Sequence, residues 1–309
     1  MRMIQTILYP TDFSEPAQGP FGFACLLAKT LKARLLIVHV CPPPICHGEV
    51  TARRQENGYH DLLWKDLEKI QPPDSAVRVE HLLEEGEAAD TIVRVARDIP
   101  CDLIVMGTHG RTGLGRLLLG SVAEKVLRDA PCPVLTMRSP GPEAKDRLPE
   151  SGKVETILFP TDFSECSQNA LNLAFALTRD FKARLLVLHV ATPPPFVTYG
   201  EFEKVLDKSS GYRHELEEQL RQCQSPECNK EFRLVEGDPG NEIVQVAREA
   251  HCDLIIMGTH GRTGLGRVLM GSVAEKVLRQ TPCPVLMVKN PVPGKETSPS
   301  ATAPEPAKR

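Results

Sequence analysis

The sequence predicts an α/β protein made of two tandem, doubly wound domains, in each of which helices flank a parallel sheet. Three observations lead to this prediction: the chain repeats itself, short apolar runs alternate with longer helical patterns, and the apolar runs show no polar alternation. Strands of this kind are buried on both faces, and their alternation with helices is typical of parallel sheets with right-handed crossovers. We therefore expect the same α/β domain twice.

The internal repeat is strongest in one segment near the end of each unit. Residues 101–128 and 252–279 are identical at 25 of 28 positions. The starts of the two units also match, at 6–14 and 156–164, whereas their middles have diverged much further. The chain is therefore a tandem duplication, and the uneven divergence suggests constraint on the ends of each unit.

Hydrophobic periodicity predicts five strands and four helices in the first unit. The strands are predicted at 3–9, 34–40, 77–83, 102–107 and 133–138, and the helices at 15–31, 52–70, 87–98 and 120–129. The second unit repeats this order from about 154 to 289.

Each type of element has its own signal. The runs Leu-Leu-Ile-Val at 35–38 and Leu-Ile-Val-Met at 103–106 predict buried strands. The sequence Asp-Phe-Ser-Glu at 12–15 is typical of a helix cap and precedes the first helix. The second helix is predicted to face the core, from apolar residues at helical spacing, namely Leu62, Leu63, Leu67 and Ile70.

Four segments make up the predicted domain organisation. They are a first domain at 1–139, a linker at 140–153, a second domain at 154–290 and a disordered tail at 291–309. The linker is predicted from its Pro, Gly and charged residues, and the tail from its content of Pro, Ser, Lys and Glu.

Composition limits the class of protein. Of the 309 residues, 41% are hydrophobic and 25% are charged, and the longest apolar runs have only the length of a strand. We therefore expect no membrane span. The start of the chain lacks the apolar core of a secretory signal, which predicts a cytoplasmic location. The net charge of −3 argues against nucleic acid as a partner.

The ten cysteines are too few for a disulfide scaffold, and reduced thiols are expected in the cytoplasm. The most closely spaced metal-ligand types are Cys41, Cys46 and His47 in one unit, and Cys223 and Cys228 in the other. Zinc sites generally draw four ligands from paired short spacings, and these clusters are incomplete and differ between the repeats. The sequence therefore predicts no metal site.

Unusual residues follow three of the predicted strands. The first strand ends in Pro10-Thr11-Asp12, the second in Val40, and the fourth in Met106 and Gly107. In a doubly wound sheet, ligands bind beyond the carboxyl ends of the strands, where the strand order reverses. These segments are therefore expected to meet in one crevice.

A glycine-rich loop runs from the fourth strand to the last helix of each unit. Its glycines would let backbone N–H groups approach a ligand closely, and Gly120-Ser121 opens the helix, whose amino terminus favours anions. Arg111 and its counterpart Arg262 would add positive charge. The alternative is that the glycines serve turns, Ser121 only caps the helix and the arginines are solvated.

The spacing Gly107-x2-Gly110-x9-Gly120-Ser121 returns as Gly258-x2-Gly261-x9-Gly271-Ser272. It resembles the ATP-binding signature of the universal stress protein family, and the resemblance covers both units nearly end to end. The resemblance implies a five-stranded parallel sheet of order 3-2-1-4-5, binding of ATP, alone or with Mg²⁺, and association through the last strand of each unit.

The family pattern also implies a role for individual residues. Asp12 and Asp162 would contact the ribose or lie near the adenine, and Val40 and Val190 would offer backbone groups to the base. The remaining residues would shape the adenine end (Pro10, Thr11, Pro160, Thr161), line the base pocket (Met106, Met257), hold the triphosphate (Gly107, Gly110, Gly120, Ser121, Gly258, Gly261, Gly271, Ser272) or complete the cradle (Val122, Val273).

Several side chains have alternative interpretations. Asp12 and Asp162 would also fit as caps of the helices that follow them. His109 and His260 lie inside the loop, where an exposed histidine needs no function, and His39 and His189 are expected to be core or cleft-lining residues with no catalytic role. No catalytic residue is assigned.

Two functions fit this motif. The favoured one is a nucleotide-responsive regulator of the stress response, with a protein partner that the sequence does not identify. The alternative is a slow ATPase or phosphotransferase, although the loop lacks the lysine and the Mg²⁺-binding carboxylate that efficient phosphoryl transfer needs. The two repeats are expected to pair as a pseudo-dimer within one chain, and the sequence is compatible with a further homodimer.

Overall fold

The computed structural model describes residues 4–14, 17–42, 51–108, 119–138, 152–192, 218, 229–261 and 270–289. For Gln18 and residues 51–57 only the backbone is described. The predicted tail at 291–309 and all but the last two residues of the predicted linker lie outside these stretches, so the domain boundaries stay predictions.

The first unit contains every strand and helix predicted for it. Its elements are β1 (Thr6–Thr11), α1 (Gln18–Leu31), β2 (Arg34–Cys41), α2 (Thr51–Glu68), β3 (Val79–Glu85), α3 (Ala88–Asp98), β4 (Leu103–Gly107), α4 (Ser121–Asp129) and β5 (Val134–Met137). The bounds differ from the predicted ones by up to three residues. Strand β1 continues beyond residue 9 because Pro10 and Thr11 still pair with β2.

The second unit repeats the same order of elements. They are β6 (Thr156–Pro160), α5 (Glu165–Phe181), β7 (Arg184–Ala191), β8 (Asn229–Glu236), α6 (Pro239–Glu249), β9 (Leu254–Gly258), α7 (Ser272–Gln280) and β10 (Val285–Val288). The segment that corresponds to α2 falls in residues 193–217 and 219–228, which lie outside the described residues.

All ten strands form one continuous sheet in the order β3-β2-β1-β4-β5-β10-β9-β6-β7-β8. Within each unit the strands are parallel and follow the order 3-2-1-4-5, which confirms the predicted topology. Strands β5 and β10 pair antiparallel, and this pairing joins the units. The sequence predicted two sheets associated through their last strands; the structure shows that they form one.

The junction between the units is short and apolar. Leu135 of β5 lies opposite Leu286 of β10, and both side chains are fully buried. An exposed edge strand is a template for unwanted pairing, so each last strand protects the other. The two units therefore pair within one chain, as the sequence predicted.

The hydrophobic core consists of two layers, one on each face of the sheet. One layer contains side chains from α1 and α5, such as Phe23 and Ala170. The other contains side chains from α3 and α4 in the first unit and from α6 and α7 in the second, such as Val126 and Val277. Both layers extend across the junction. Because the sheet is buried on both faces, its strands appear in the sequence as continuous apolar runs.

An aspartate fastens the first strand of each unit to the fourth, a contact that the sequence analysis missed. Asp102 precedes β4, and its Oδ2 accepts hydrogen bonds from the backbone N–H groups of Gln5 at 2.8 Å and Thr6 at 2.9 Å. Asp253 makes the same pair of bonds in the second unit. The carboxylate thus sets the register of β1 beside β4.

Two expectations drawn from composition can be compared with the described residues. None of their helices is long and apolar enough to cross a membrane. The seven described cysteines are free thiols, six of them buried. Burial raises the pKa of Cys101 to about 11 and that of Cys252 to about 12, so these thiols are protonated and unreactive at neutral pH.

We expect Asp102→Ala to lower the free energy of unfolding by about 2 kcal/mol, because two backbone N–H groups lose a charged acceptor. The matched control is Asp98→Ala, which removes an exposed ion pair with Arg94 and should cost less than about 1 kcal/mol. Urea denaturation of both variants measures the difference. Equal stability of the two variants would show that Asp102 does not fasten β1 to β4.

Candidate functional site

The strand order reverses between β1 and β4 in the first unit and between β6 and β9 in the second. Ile7 pairs with Leu103 and Leu8 with Ile104, so Asp12, beyond β1, and Gly107, at the end of β4, lie at the same edge of the sheet. The register of β6 with β9 is equivalent. Each unit therefore has the crevice that its sequence predicted.

A main-chain hydrogen bond closes the glycine-rich loop at its two ends. The N–H of Gly120 donates to the carbonyl oxygen of Thr108 at 2.8 Å, and the N–H of Gly271 donates to that of Thr259 at 3.0 Å. The start of α4 is thereby fixed beside the end of β4, and the start of α7 beside the end of β9. Residues 109–118 and 262–269, between these ends, lie outside the described residues.

The helices that follow the loops begin without a side-chain cap. Gly120 and Gly271 occupy the cap positions with extended backbone, and no side-chain hydrogen bond caps either helix. The alternative that Ser121 only caps its helix is therefore wrong: Ser121 and Ser272 are the first helical residues, and both are exposed. First-turn N–H groups have no intrahelical acceptor and lie at the positive end of the helix dipole.

The aspartates after β1 and β6 are fixed by local hydrogen bonds. Oδ1 of Asp12 accepts from the backbone N–H of Ser14 at 3.0 Å and from its hydroxyl, and Asp162 makes the same contacts with Ser164. Ser164 itself caps α5 by accepting from the N–H of Ser167. Asp162 therefore does not cap α5 directly; it positions the residue that does.

Gly261 and Gly258 lie where the second unit has little room for a side chain. A Cβ on Gly261 would lie 2.6 Å from Oδ2 of Asp162. A Cβ on Gly258 would lie 2.9 Å from Sγ of Cys166 and 3.2 Å from its carbonyl carbon. The start of the loop after β9 therefore approaches both the aspartate and the start of α5.

Buried histidines hold the turn after the first strand of each unit. Nδ1 of His39 donates to the carbonyl oxygen of Thr11 at 2.7 Å, and the ring of Phe13, whose φ is 62°, packs on His39 with centroids 4.1 Å apart. His189 repeats the contact with the carbonyl of Thr161. The burial of these histidines fits the expectation that they are core or cleft-lining residues. Their contacts also position the ends of β1 and β6, which the sequence repeat alone did not indicate.

The predicted base-binding residues lie near the crevice in different environments. Pro10 pairs with Val38, and Val40 lies half-buried near the end of β2. Met106 and Met257 are buried in the core layer beneath the crevice edge. In the second unit Pro160, Thr161 and Val190 are buried, and Val273 is half-buried whereas Val122 is exposed.

Three residues assigned to the nucleotide lie outside the described residues: Gly110, Arg111 and Arg262. His109 lies outside them too. His260 is described, and its Nδ1 lies 2.9 Å from the hydroxyl of Thr259. The roles of these residues toward a ligand stay predictions.

A chain of contacts runs from the second crevice to the first. The N–H of Thr259, at the start of the second loop, donates to the carbonyl of Val288 in β10. The next residue, Lys289, donates through Nζ to the carbonyl oxygens of Arg128 at 2.8 Å and Ala130 at 2.9 Å, at the carboxyl end of α4. The amino end of the same helix borders the first crevice.

Comparison with known proteins agrees with the fold and the motif. The sequence profile of the universal stress protein family matches residues 3–138 and 153–289. A universal stress protein of Methanocaldococcus jannaschii is 37% identical over 140 residues, which cover 44% of this chain and 82% of that protein. The chain belongs to the universal stress protein family, and it contains two copies of the family domain.

One solved structure shows the same architecture over nearly the whole chain. A universal stress protein from Archaeoglobus fulgidus matches with a TM-score of 0.63 and 20% identity over 92% of this chain and 96% of its own. Another universal stress protein, solved in complex with cAMP, matches 44% of this chain and 98% of its own, with 23% identity and a TM-score of 0.35. The first of these confirms the tandem fold.

Alanine at the two crevice glycines should have different effects on stability. Gly258→Ala should cost about 1–3 kcal/mol, because its Cβ meets both the backbone and the thiol of Cys166. Gly261→Ala should cost less than Gly258→Ala, because its Cβ meets only the end of one side chain, the Asp162 carboxylate, whose displacement strains its hydrogen bonds to Ser164. Denaturant unfolding measures both values, and a larger cost for Gly261→Ala would contradict the geometry.

Proposed function

We propose that the chain binds ATP in two crevices, one in each unit, and acts as a nucleotide-responsive regulator. The observation that carries this proposal is the hydrogen bond from Gly120 to Thr108, repeated from Gly271 to Thr259, which fixes an uncapped helix start beside a strand end at the switch point. Membership of the universal stress protein family and the intact glycine spacing in both units support it.

The phosphates would bind at the helix starts. There the first-turn N–H groups and the positive end of the helix dipole favour an anion, and the exposed hydroxyl of Ser121 or Ser272 adds a donor. Gly261, which lies close to Asp162, would let backbone N–H groups reach phosphate oxygens that a side chain would exclude. Arg111 and Arg262 would add charge-assisted hydrogen bonds.

The adenosine would bind at the other end of each crevice. Asp12 and Asp162 already have one carboxylate oxygen fixed by a serine, so the carboxyl group is oriented before a ribose hydroxyl arrives. Pro10 and Thr11 would shape this end, and the backbone at Val40 would meet the base. Pro160, Thr161 and Val190 are the equivalents in the second unit.

Mg²⁺ would accompany ATP through the phosphates. Among the described residues, the side chains that group as metal ligands are Cys41, His60 and Glu85, and none of them is a predicted nucleotide contact. A magnesium ion bound together with a nucleotide commonly keeps several of its waters and takes other ligands from the phosphate oxygens. ATP would therefore bring charge and a defined shape to the crevice, and the chain would recognise the ligand through its glycine-rich loop.

The contact between Lys289 and α4 would make the response cooperative. ATP bound at the second loop would act on Thr259 and so on β10, and the residue after β10 holds the end of the helix at which the first nucleotide would bind. Burial lowers the pKa of Lys289 to about 8, yet the side chain still donates to two carbonyls. A contact of this kind can carry coupling between sites, which typically amounts to about 1–3 kcal/mol.

We expect Gly261→Ala to weaken ATP binding in the second unit about tenfold or more, because displacement of the Asp162 carboxylate removes a charge-assisted hydrogen bond. Calorimetric titration with ATP, with and without Mg²⁺, would resolve one weakened and one unchanged site. Gly58→Ala is the control, since a Cβ there meets nothing within 4 Å.

Binding that is equal in Gly261→Ala and the wild-type chain would place the nucleotide elsewhere. Titration with cAMP, which has adenosine but a single phosphate, shows how much of the affinity comes from the triphosphate. Phosphate release in the same samples tests the alternative of an enzyme: turnover above about 1 s⁻¹, the low end for ordinary enzymes, would favour it.

We expect Lys289→Met to reduce the effect of one bound ATP on the affinity of the other site. The variant leaves the carbonyls of Arg128 and Ala130 without their donor, so α4 is less firmly tied to β10. The control is Lys125→Met, on the same helix, which removes only an exposed ion pair with Asp90. Two-site analysis of the titrations gives the coupling, and equal coupling in both variants would contradict this link.

A further inference from the structure

A cysteine, a histidine and a glutamate meet at the carboxyl ends of β2 and β3 in the first unit. Cys41 is the last residue of β2 and Glu85 the last of β3, and the two are direct partners in the strand register. His60 reaches the same point from α2. The three come from elements separated along the chain, so their proximity depends on the fold and has no short sequence signal.

The ligand-type atoms of these side chains converge. Nε2 of His60 lies 2.6 Å from Oε1 of Glu85 and 3.9 Å from Sγ of Cys41, and all three atoms lie within 4.8 Å of one another. Cys41 is buried, whereas the side chains of His60 and Glu85 are 36% and 47% exposed. One donor is therefore fixed in the protein, and two face solvent.

This set of donors suits a borderline-soft divalent cation. Zinc takes thiolate, imidazole and carboxylate donors in tetrahedral sites, and a site with three protein ligands leaves the fourth position to water. Neighbouring ligand atoms of a zinc ion lie about 3.5 Å apart, given bonds of about 2.0–2.3 Å. To reach this geometry, the atoms of His60 and Glu85 would separate by about 1 Å and approach Sγ of Cys41 by up to about 1.3 Å, through rotations of two partly exposed side chains.

The second unit shows that the thiol is not required by the strand pairing. There Ala191 occupies the position of Cys41 and pairs with Glu236, the counterpart of Glu85. The strands have the same register with alanine as with cysteine. Among the described residues, the thiol of Cys41 donates a 3.3 Å hydrogen bond to the carbonyl of Glu84, and its Sγ lies 3.9 Å from Nε2 of His60.

We propose that Cys41, His60 and Glu85 form a binding site for a zinc-type divalent ion that fastens α2 to the ends of β2 and β3. The ion would displace the thiol proton of Cys41, which passes to solvent, and would bind Nε2 of His60 with the ring proton on Nδ1. No electron transfer is involved.

The site would distinguish the two units. Cys41 directly follows Val40, at the end of the strand that borders the first crevice, so a bound ion would restrain that edge of the first unit alone. The second unit has no thiol at this position. The site does not depend on nucleotide binding, and its test succeeds or fails independently of the proposed function.

Titration of the full-length chain with Co²⁺ and Zn²⁺ tests the proposal. To exclude Cys46 and His47, which follow Cys41 in sequence, the background chain carries Cys46→Ser and His47→Gln. We expect one ion per chain, a thiolate-to-cobalt charge-transfer band, and loss of that band when Zn²⁺ displaces Co²⁺. Added Cys41→Ala should abolish the band.

Surface variants keep the test independent of folding. His60→Gln and Glu85→Gln change partly exposed side chains, and each should weaken Zn²⁺ binding more than about 100-fold. Loss of a residue that only orients a ligand would have a smaller effect. Cys101→Ala and Glu80→Gln are the matched controls and should leave affinity unchanged.

Two results would overturn the proposal. One is an absence of the cobalt band in the background chain, which would assign any ion to Cys46 and His47 or to no site at all. The other is Zn²⁺ affinity that is the same in His60→Gln, Glu85→Gln and the controls, with all variants folded by circular dichroism.

Discussion

The candidate site depends on one constraint, the side-by-side placement of the first and fourth strands in each unit. The chain leaves β1 toward one side of the sheet and returns to the other side in β4, so a crevice opens where their carboxyl ends meet. Asp102 and Asp253 fasten the other ends of these strands. With that register fixed, Asp12 and the glycine-rich loop come together without further adjustment.

The duplication repeats this local arrangement in the second unit. Strands β5 and β10 merge two sheets into one, and both core layers cross the junction. Because Thr259 is bonded to β10 and Lys289 to the end of α4, the second loop is joined to the first helix by a few contacts. The same short junction that protects two edge strands also offers a path for a response to nucleotide.

Much of this architecture could be predicted from the sequence, because buried parallel strands and glycine-rich loops have strong local signals. The strand order came from the family resemblance, and the pairing of the two units followed from their exposed last strands, whereas the merging of the two sheets into one was not predicted. The contacts of Asp102, His39 and Lys289 could not be predicted, since each depends on residues distant in sequence. The cluster of Cys41 with His60 and Glu85 was missed for the same reason: along the chain, Cys41 lies near Cys46 and His47, an incomplete set that was rejected as a zinc site.

The central claim is that both crevices of one chain hold ATP. Native mass spectrometry of the full-length chain with ATP and Mg²⁺ tests it directly, because each bound nucleotide adds a discrete mass to the 34.1 kDa chain. The account predicts species with one and with two nucleotides, and the doubly bound species should dominate at saturation. A chain that takes up none, or that never exceeds one, would contradict it.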